Sequence, residues 1–81
     1  MLTVRANGSV RNALDGAESV EVTASTIREL LTRLADRYPA LERELDAGIA
    51  VAINGEIYRD DRDVKIPADA EVFLLPRIPG G

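Results

Sequence analysis

The clearest helical pattern in this 81-residue sequence is STIRELLTRLADRYP, at residues 25–39. Its apolar residues recur three and four positions apart, as expected for one face of an α-helix with about 3.6 residues per turn. They are Ile27, Leu30, Leu31, Leu34, Ala35 and Tyr38. Thr26 and Glu29 have the spacing of a capping box, and Pro39 ends the helix. The pattern predicts one amphipathic helix over residues 26–38.

Upstream of this helix, apolar and polar residues alternate in two segments, 2–6 and 19–23. Such alternation predicts strands with one face turned inward. The inward residues are Leu2, Val4, Ala6, Val20 and Val22. Between the two segments, Asn7-Gly8 favours a turn, although Val10 and Leu14, four residues apart, would also suit one helical turn. Strand, turn, strand is the simplest prediction for the N-terminal part.

Downstream of the helix, the pattern favours more short strands. Residues 40–46 could form a second, short helix that Gly48 ends. Residues 49–53 alternate like a strand, and Asn54-Gly55 is a strong hairpin signal because both residues tolerate positive φ. The extended segments that follow are 56–59, a piece that includes Val64 and Ile66, and 71–75. This order predicts an α+β roll, in which a mixed sheet of roughly four to five strands packs on one main helix.

The last strand is predicted to present two different faces. If Val72 and Leu74 point to the core, Phe73 and Leu75 share the opposite face, which no helix covers. Ala52 and its neighbour Ala50 could lie on that same face. An exposed Phe–Leu pair is typical of a docking patch for a partner protein. The alternatives are a central strand buried on both faces, or the reverse register.

The composition excludes several classes of function. The chain has no Cys and no His, which removes disulfides, thiol nucleophiles, the usual general base at neutral pH and the commonest metal ligand. A net charge of −4 disfavours a nucleic-acid partner. Asp60, Asp61 and Asp63 lack the spacing of a calcium loop, so we expect a solvated turn and no metal site. With no long apolar run and no signal-peptide pattern, we expect one cytoplasmic domain without a membrane segment.

The printed sequence ends on Gly80-Gly81. One interpretation is a frayed tail without function. In the other, two residues without Cβ atoms thread a narrow channel in another protein's active site, and the α-carboxylate of Gly81 is the reacting group. A carboxylate reacts with nucleophiles only after activation. The activating machinery would belong to a partner, because this chain has no phosphate-binding glycine loop.

Three stretches resemble the MoaD/ThiS family of ubiquitin-like sulfur carriers, and the molybdopterin-synthase small subunit in particular. The resemblance covers about residues 19–81, and its third stretch is the most specific because it places Gly-Gly a few residues after the last strand. The stretches are STIRELL at 25–31 followed by YPAL at 38–41, VAING at 51–55, and AEVFLLP at 70–76 running on to Gly80-Gly81.

This resemblance implies a β-grasp domain at residues 1–75 and a flexible tail at 76–81. It implies that an E1-like adenylyltransferase of the MoeB/ThiF type uses ATP to adenylate Gly81, and that a sulfur donor protein then converts it to a thiocarboxylate. The carrier itself would bind no cofactor and would not be an enzyme. In the molybdopterin branch the large subunit, of the MoaE type, receives the tail in its active site. The implied tail contacts are Pro76, Arg77, Ile78, Pro79 and Gly80, and the implied docking residues are Phe73 and Leu75.

Two departures from the family pattern leave the acceptor open. Arg77 stands where a second proline is common, and Ala68-Asp69 replaces the usual Asp-Gly before the last strand. Asp tolerates the left-handed conformation that Gly would adopt, so we expect the turn to survive. Thiamin thiazole, cysteine, tRNA or secondary metabolites are alternative acceptors. A ubiquitin-like modifier joined to lysines through Gly81, or a plain interaction module, are alternative functions.

Overall fold

The computed structural model describes residues 1–76, which form five strands and three helices. Their bounds are β1 Leu2–Ala6, α1 Gly8–Ala13, β2 Val20–Val22, α2 Ile27–Arg37, α3 Leu41–Ala47, β3 Ile49–Ile53, β4 Glu56–Tyr58 and β5 Glu71–Pro76. The strands make one sheet in the order β2-β1-β5-β3-β4. β1 and β5 are parallel, whereas the other neighbouring pairs are antiparallel. The predicted α+β class with a mixed sheet is confirmed.

Helix α2 is the predicted amphipathic helix, and its N-terminus is capped as the spacing indicated. The Glu29 N–H donates to Thr26 Oγ1 at 3.2 Å. In return, Glu29 Oε1 accepts from the backbone N–H of Ser25 at 2.9 Å, one residue before the partner that a standard capping box uses. The helix ends at Arg37, with Tyr38 as its C-cap before Pro39. Its buried face is Ile27, Leu30, Leu31 and Leu34.

One apolar core lies between the sheet and the helices. Apart from Ala50, the buried residues of the strands and of α2 belong to a single cluster, which also takes in Val10, Ala13, Leu14, Ala70, Leu41 and Ile66. No polar or charged side chain is buried anywhere in residues 1–76. The fold is therefore stabilised by apolar burial, with its polar contacts at the surface.

The prediction of strand, turn, strand at the N-terminus is wrong, because helix α1 lies between β1 and β2. The helix has six residues and buries Val10 and Ala13, with Leu14 directly after it. It packs against β5 and α3. A helix this short is marginal on its own, so tertiary burial stabilises it. The spacing of Val10 and Leu14 was the one signal of this helix.

Two further predictions need correction. The piece that includes Val64 and Ile66 is not a strand, since only the single bridge between Thr26 and Lys65 forms there. Its carbonyl groups instead accept from the first turn of α2: the Ile27 N–H donates to Val64 at 3.1 Å and the Arg28 N–H to Arg62 at 2.9 Å. Free N–H groups at a helix N-terminus need such partners. The short helix predicted at residues 40–46 is confirmed as α3.

Strand β5 runs one residue beyond its predicted end at Leu75. Pro76 pairs with Ile49 in β3. The Asn54 N–H donates to the Glu71 carbonyl, so by alternation the backbone nitrogen of Pro76 is directed toward β1. Because β1 already ends at Ala6, opposite Leu74, no ladder bond is lost by having proline there.

Candidate functional site

The two faces of β5 differ as the alternation predicted. Val72 and Leu74 are 2% and 0% exposed, whereas Phe73 and Leu75 are half-buried. β5 is the central strand of the sheet, yet the helices cover only one of its faces. The predicted register is confirmed, and the alternatives of burial on both faces or a reversed register are wrong.

Cross-strand pairing assembles an apolar surface around Phe73. Phe73 lies opposite Ala52 of β3, and Ala52 lies opposite Ile57 of β4, whose side chain is 54% exposed. Leu75 lies opposite Ala50, which is buried yet does not belong to the core cluster. Because alanine side chains are small, Phe73, Leu75 and Ile57 contribute most of the side-chain atoms on this side of the sheet. We call this side of the sheet the open face; its residues are Thr3, Arg5, Ala50, Ala52, Ile57, Glu71, Phe73 and Leu75.

Charged residues flank the apolar part of the open face. Arg5 of β1 pairs with Phe73, and Glu71 lies two residues before Phe73 on the same strand. Together with Thr3, Ala52 and Gly55 they line a shallow hollow of about 200 Å³. The open face thus offers an aromatic ring with one cation and one carboxylate beside it.

The hairpin turn between β3 and β4 also bonds to β5. Asn54 and Gly55 both have positive φ, at 49° and 91°, as the Asn-Gly signal predicted. Asn54 also binds Glu71 in both directions: its N–H donates to the Glu71 carbonyl at 2.9 Å, and its Oδ1 accepts from the Glu71 N–H at 3.0 Å. Sequence reasoning missed this connection between residues 17 positions apart, since no local pattern indicates it. These bonds continue the pairing register in which Phe73 lies opposite Ala52.

The polar side chains outside the open face form hydrogen bonds at the protein surface. Asp61 Oδ1 accepts from the Asp63 N–H, and Asp63 accepts from Arg28 at 3.1 Å, as suits the solvated turn that was predicted. No group of three or more potential ligands in residues 1–76 could hold a metal ion. The hydrogen bond from the exposed Tyr58 hydroxyl to Glu56 raises the pKa of Tyr58. Tyr58 therefore stays a neutral phenol at neutral pH.

The predicted reacting group lies beyond the part of the chain that is described. The described chain ends at Pro76, whose Cγ lies 4.0 Å from the position a Cβ would take on Gly8. Arg77, Ile78, Pro79, Gly80 and Gly81, the rest of the predicted tail, lie outside the described residues. The structure thus brings Phe73 and Leu75 together on the strand that leads to the tail.

The helices are too short to cross a membrane, as far as residues 1–76 are concerned.

Comparison with known proteins agrees with this architecture. The model of the ThiS family matches residues 4–81. A chain of the Amycolatopsis orientalis BexX/CysO complex superposes with a TM-score of 0.79 at 21% identity, covering 100% of both chains. The small archaeal modifier protein 1 (SAMP1) of Methanosarcina acetivorans gives 0.79 at 23%, covering 99% of this chain and 95% of that one.

A third similar structure is the complex of subunits 1 and 2 of the molybdopterin-converting factor from Helicobacter pylori 26695. It gives a TM-score of 0.69 at 22% identity, covering 99% of this chain and 97% of that one. A search of curated proteins gives no match. The structural similarities establish the fold, and the family model covers nearly the whole chain. The chain belongs to the ThiS family and has the β-grasp fold of the ubiquitin-like sulfur carriers.

Proposed function

We propose that this protein carries sulfur as a thiocarboxylate on Gly81, formed after an ATP-dependent, E1-like adenylyltransferase has activated the carboxylate. The observation that carries this proposal is the ThiS family match, which runs through Gly81. The order of the chain is consistent with it, since Gly81 follows the end of β5 by five residues.

The chemistry explains why the chain needs partners. The Gly81 carboxylate would displace pyrophosphate from ATP to give an acyl-adenylate. A persulfide on the sulfur donor protein would then displace AMP, and cleavage of the resulting acyl disulfide by a thiol would leave the thiocarboxylate. A chain without Cys and His supplies neither the persulfide nor a usual general base. It therefore acts as a protein co-substrate that binds no cofactor of its own, and we place it in the cytoplasm with the ATP that its partner consumes.

The open face is the surface through which we expect partners to bind. Phe73 and Leu75 would dock on the partner while Pro76, Arg77, Ile78, Pro79 and Gly80 enter its active site. Support comes from the half-buried Phe73 and Leu75 on the strand that leads to the tail. Two of the similar structures are complexes with a second protein, BexX/CysO and the two subunits of molybdopterin-converting factor.

For the acceptor, we propose a molybdopterin precursor, with this chain as the small subunit of molybdopterin synthase. The similarity to the Helicobacter pylori subunit complex supports this choice. The test is to add a MoaE-type large subunit, the thiocarboxylated chain and the precursor together, and to measure molybdopterin formation. Absence of product with a fully loaded carrier would redirect the proposal to another acceptor of sulfur.

A second candidate is a protein modifier joined to lysines through Gly81. It is favoured by the similarity to SAMP1, the small archaeal modifier protein 1. Immunoblots of whole-cell lysate distinguish the two functions. A ladder of conjugates supports the modifier, and free protein alone supports the carrier.

The experiment that tests the carrier function is an intact mass of the protein from its own host, purified without reductant. Replacement of one terminal oxygen by sulfur adds about 16 Da. Oxidation of Met1 adds nearly the same, so a C-terminal fragment must be weighed as well. A variant lacking Gly80 and Gly81 serves as the control: it should keep its far-UV circular dichroism and lose sulfur transfer. Full transfer activity in that variant would overturn the proposal.

A further inference from the structure

Two charged side chains of the open face form no ion pair within residues 1–76. Arg5 and Glu71 are both exposed, and neither is paired with the other or with another residue of that range. They flank Phe73, since Arg5 is its pairing partner on β1 and Glu71 precedes it by two residues on β5. A second molecule that presents the opposite charges at matching positions would therefore find both groups available.

The apolar residues of the open face are exposed side by side. Ile57 is 54% exposed, and Phe73 and Leu75 are half-buried. Only the small Ala52 separates Phe73 from Ile57 across the sheet. A contiguous exposed apolar surface with polar residues at its edge is typical of a protein contact site. The question is which protein has a surface that fits it.

The pairing register makes the open face complementary to itself in charge. Thr3 pairs with Glu71, and Arg5 pairs with Phe73. The four residues occupy the corners of a parallelogram, with Arg5 and Glu71 at opposite corners. Its sides are about 5 Å across the strands and about 7 Å along them. A two-fold axis that lies in the open face and passes near Thr3 and Phe73 exchanges the two charged positions. When two copies face each other about this axis, Arg5 of each lies opposite Glu71 of the other.

The same axis also matches the apolar residues. It exchanges the direction along β5 with the direction across the sheet. Leu75 lies two residues after Phe73 along β5, and Ile57 lies two strands away from Phe73. Ile57 is on the side of β5 opposite β1, so Leu75 of one copy meets Ile57 of the other. The two Phe73 rings lie close to the axis, beside the shallow hollow of about 200 Å³, where aromatic rings can stack with an offset.

We propose that this protein forms a symmetric dimer through its open face, with a second copy of the chain as the occupant. Contacts between Arg5 and Glu71 set the orientation of the two copies, while Ile57, Phe73 and Leu75 are removed from water. The consequence for regulation rests on the proposed function. A carrier within the dimer cannot dock on its partners, because docking uses the same residues. Self-association therefore lowers the apparent affinity for partners as the carrier concentration rises.

Sedimentation equilibrium of the full chain tests the dimer without ATP or a partner protein, so the result does not depend on whether Gly81 carries sulfur. From micromolar to millimolar concentration, the measured mass should rise toward that of two chains. Arg5→Glu leaves only carboxylates at the two charged positions, and Glu71→Arg leaves only cations. Like charges then face each other in each homodimer, so we expect either variant to self-associate at least about tenfold more weakly than the original chain.

An equimolar mixture of these two variants is the sharpest measurement. Every contact between positions 5 and 71 in a mixed dimer again joins opposite charges, so the mixture should associate about as strongly as the original chain. Arg43→Glu and Glu42→Arg are matched controls. They make the same charge changes at exposed positions of α3, on the covered side of the sheet, and should leave the dimer unchanged.

Several results would overturn the proposal. One is an original chain that remains monomeric up to millimolar concentration, and another is a mixture of folded variants that does not associate. Equal weakening in the α3 controls would show that net charge, and not the open face, governs association. Phe73→Asp should also abolish the dimer, since it places two carboxylates near the axis. A dimer that persists in this variant would have to form through another surface.

Discussion

The two faces of the sheet are formed by the same strands but differ in how deeply their side chains are buried. On the covered face, Val4, Val51 and Leu74 are at most 1% exposed and form one core with the helices. On the open face, Phe73 is only half-buried and Ile57 is 54% exposed. A single step along β5 thus moves from a fully buried residue to a half-buried one on the opposite face. If the open face binds partners as proposed, stability and recognition should be separable by substitutions within one strand.

The largest effect is expected on the covered face. Leu74→Ala removes a fully buried side chain at the centre of the sheet. We expect a loss of about 2–5 kcal/mol in the free energy of unfolding, because the cavity adds to the lost burial. That is a large part of the total for a small domain, which is on the order of 5–15 kcal/mol. Urea denaturation followed by circular dichroism measures it, and a loss below about 1 kcal/mol would contradict the description of this face as core.

The next effect concerns the open face and should appear in binding. Phe73→Asp places a carboxylate at the centre of the apolar surface, so we expect affinity for the adenylyltransferase or the large subunit to fall at least about tenfold. Stability should fall by about 1 kcal/mol or less. Isothermal titration calorimetry measures the affinity. Thr32→Asp, an equal change of charge at an exposed position of α2, on the other side of the sheet, should bind normally. Unfolding of Phe73→Asp would mean that Phe73 belongs to the core.

The extent to which the sequence predicted this contrast depends on the range of the interactions. The spacing within α2 and the alternation within β5 are local patterns, so they predicted the helix, its cap and the different burial of Leu74 and Phe73. Helix α1 was missed because six residues carry too little periodicity, and its stability comes from packing against β5 and α3. The bonds between Asn54 and Glu71 were missed because they join residues 17 positions apart, which no local pattern indicates.

These distant bonds give a smaller, third effect. Asn54→Gly keeps a residue that accepts positive φ but removes the Oδ1 acceptor of the Glu71 N–H. We expect a loss of about 1 kcal/mol, typical of one hydrogen bond, and faster hydrogen exchange at the Glu71 amide. Asn54→Asp retains an oxygen in the same place and should restore most of the protection. Unchanged hydrogen exchange at the Glu71 amide in Asn54→Gly would show that the bond to Oδ1 is not needed to hold β5 in register with β3.

The smallest effect is expected at Asp69, which belongs to the turn before β5 and to neither face. Its φ of 58° confirms that an Asp can take the left-handed conformation in this turn. Asp69→Gly relieves that conformation but loses an exposed ion pair with Met1, worth about 0–1 kcal/mol, and adds freedom to the unfolded chain. These contributions oppose each other, so we expect unfolding to change by no more than about 0.5 kcal/mol. Asp69→Ala loses the same ion pair and also the short polar side chain that lets Asp take the left-handed conformation, so it should cost about 1–2 kcal/mol. Equal stabilities of the Gly and Ala variants in urea titrations would show that backbone conformation does not determine how this turn leads into β5.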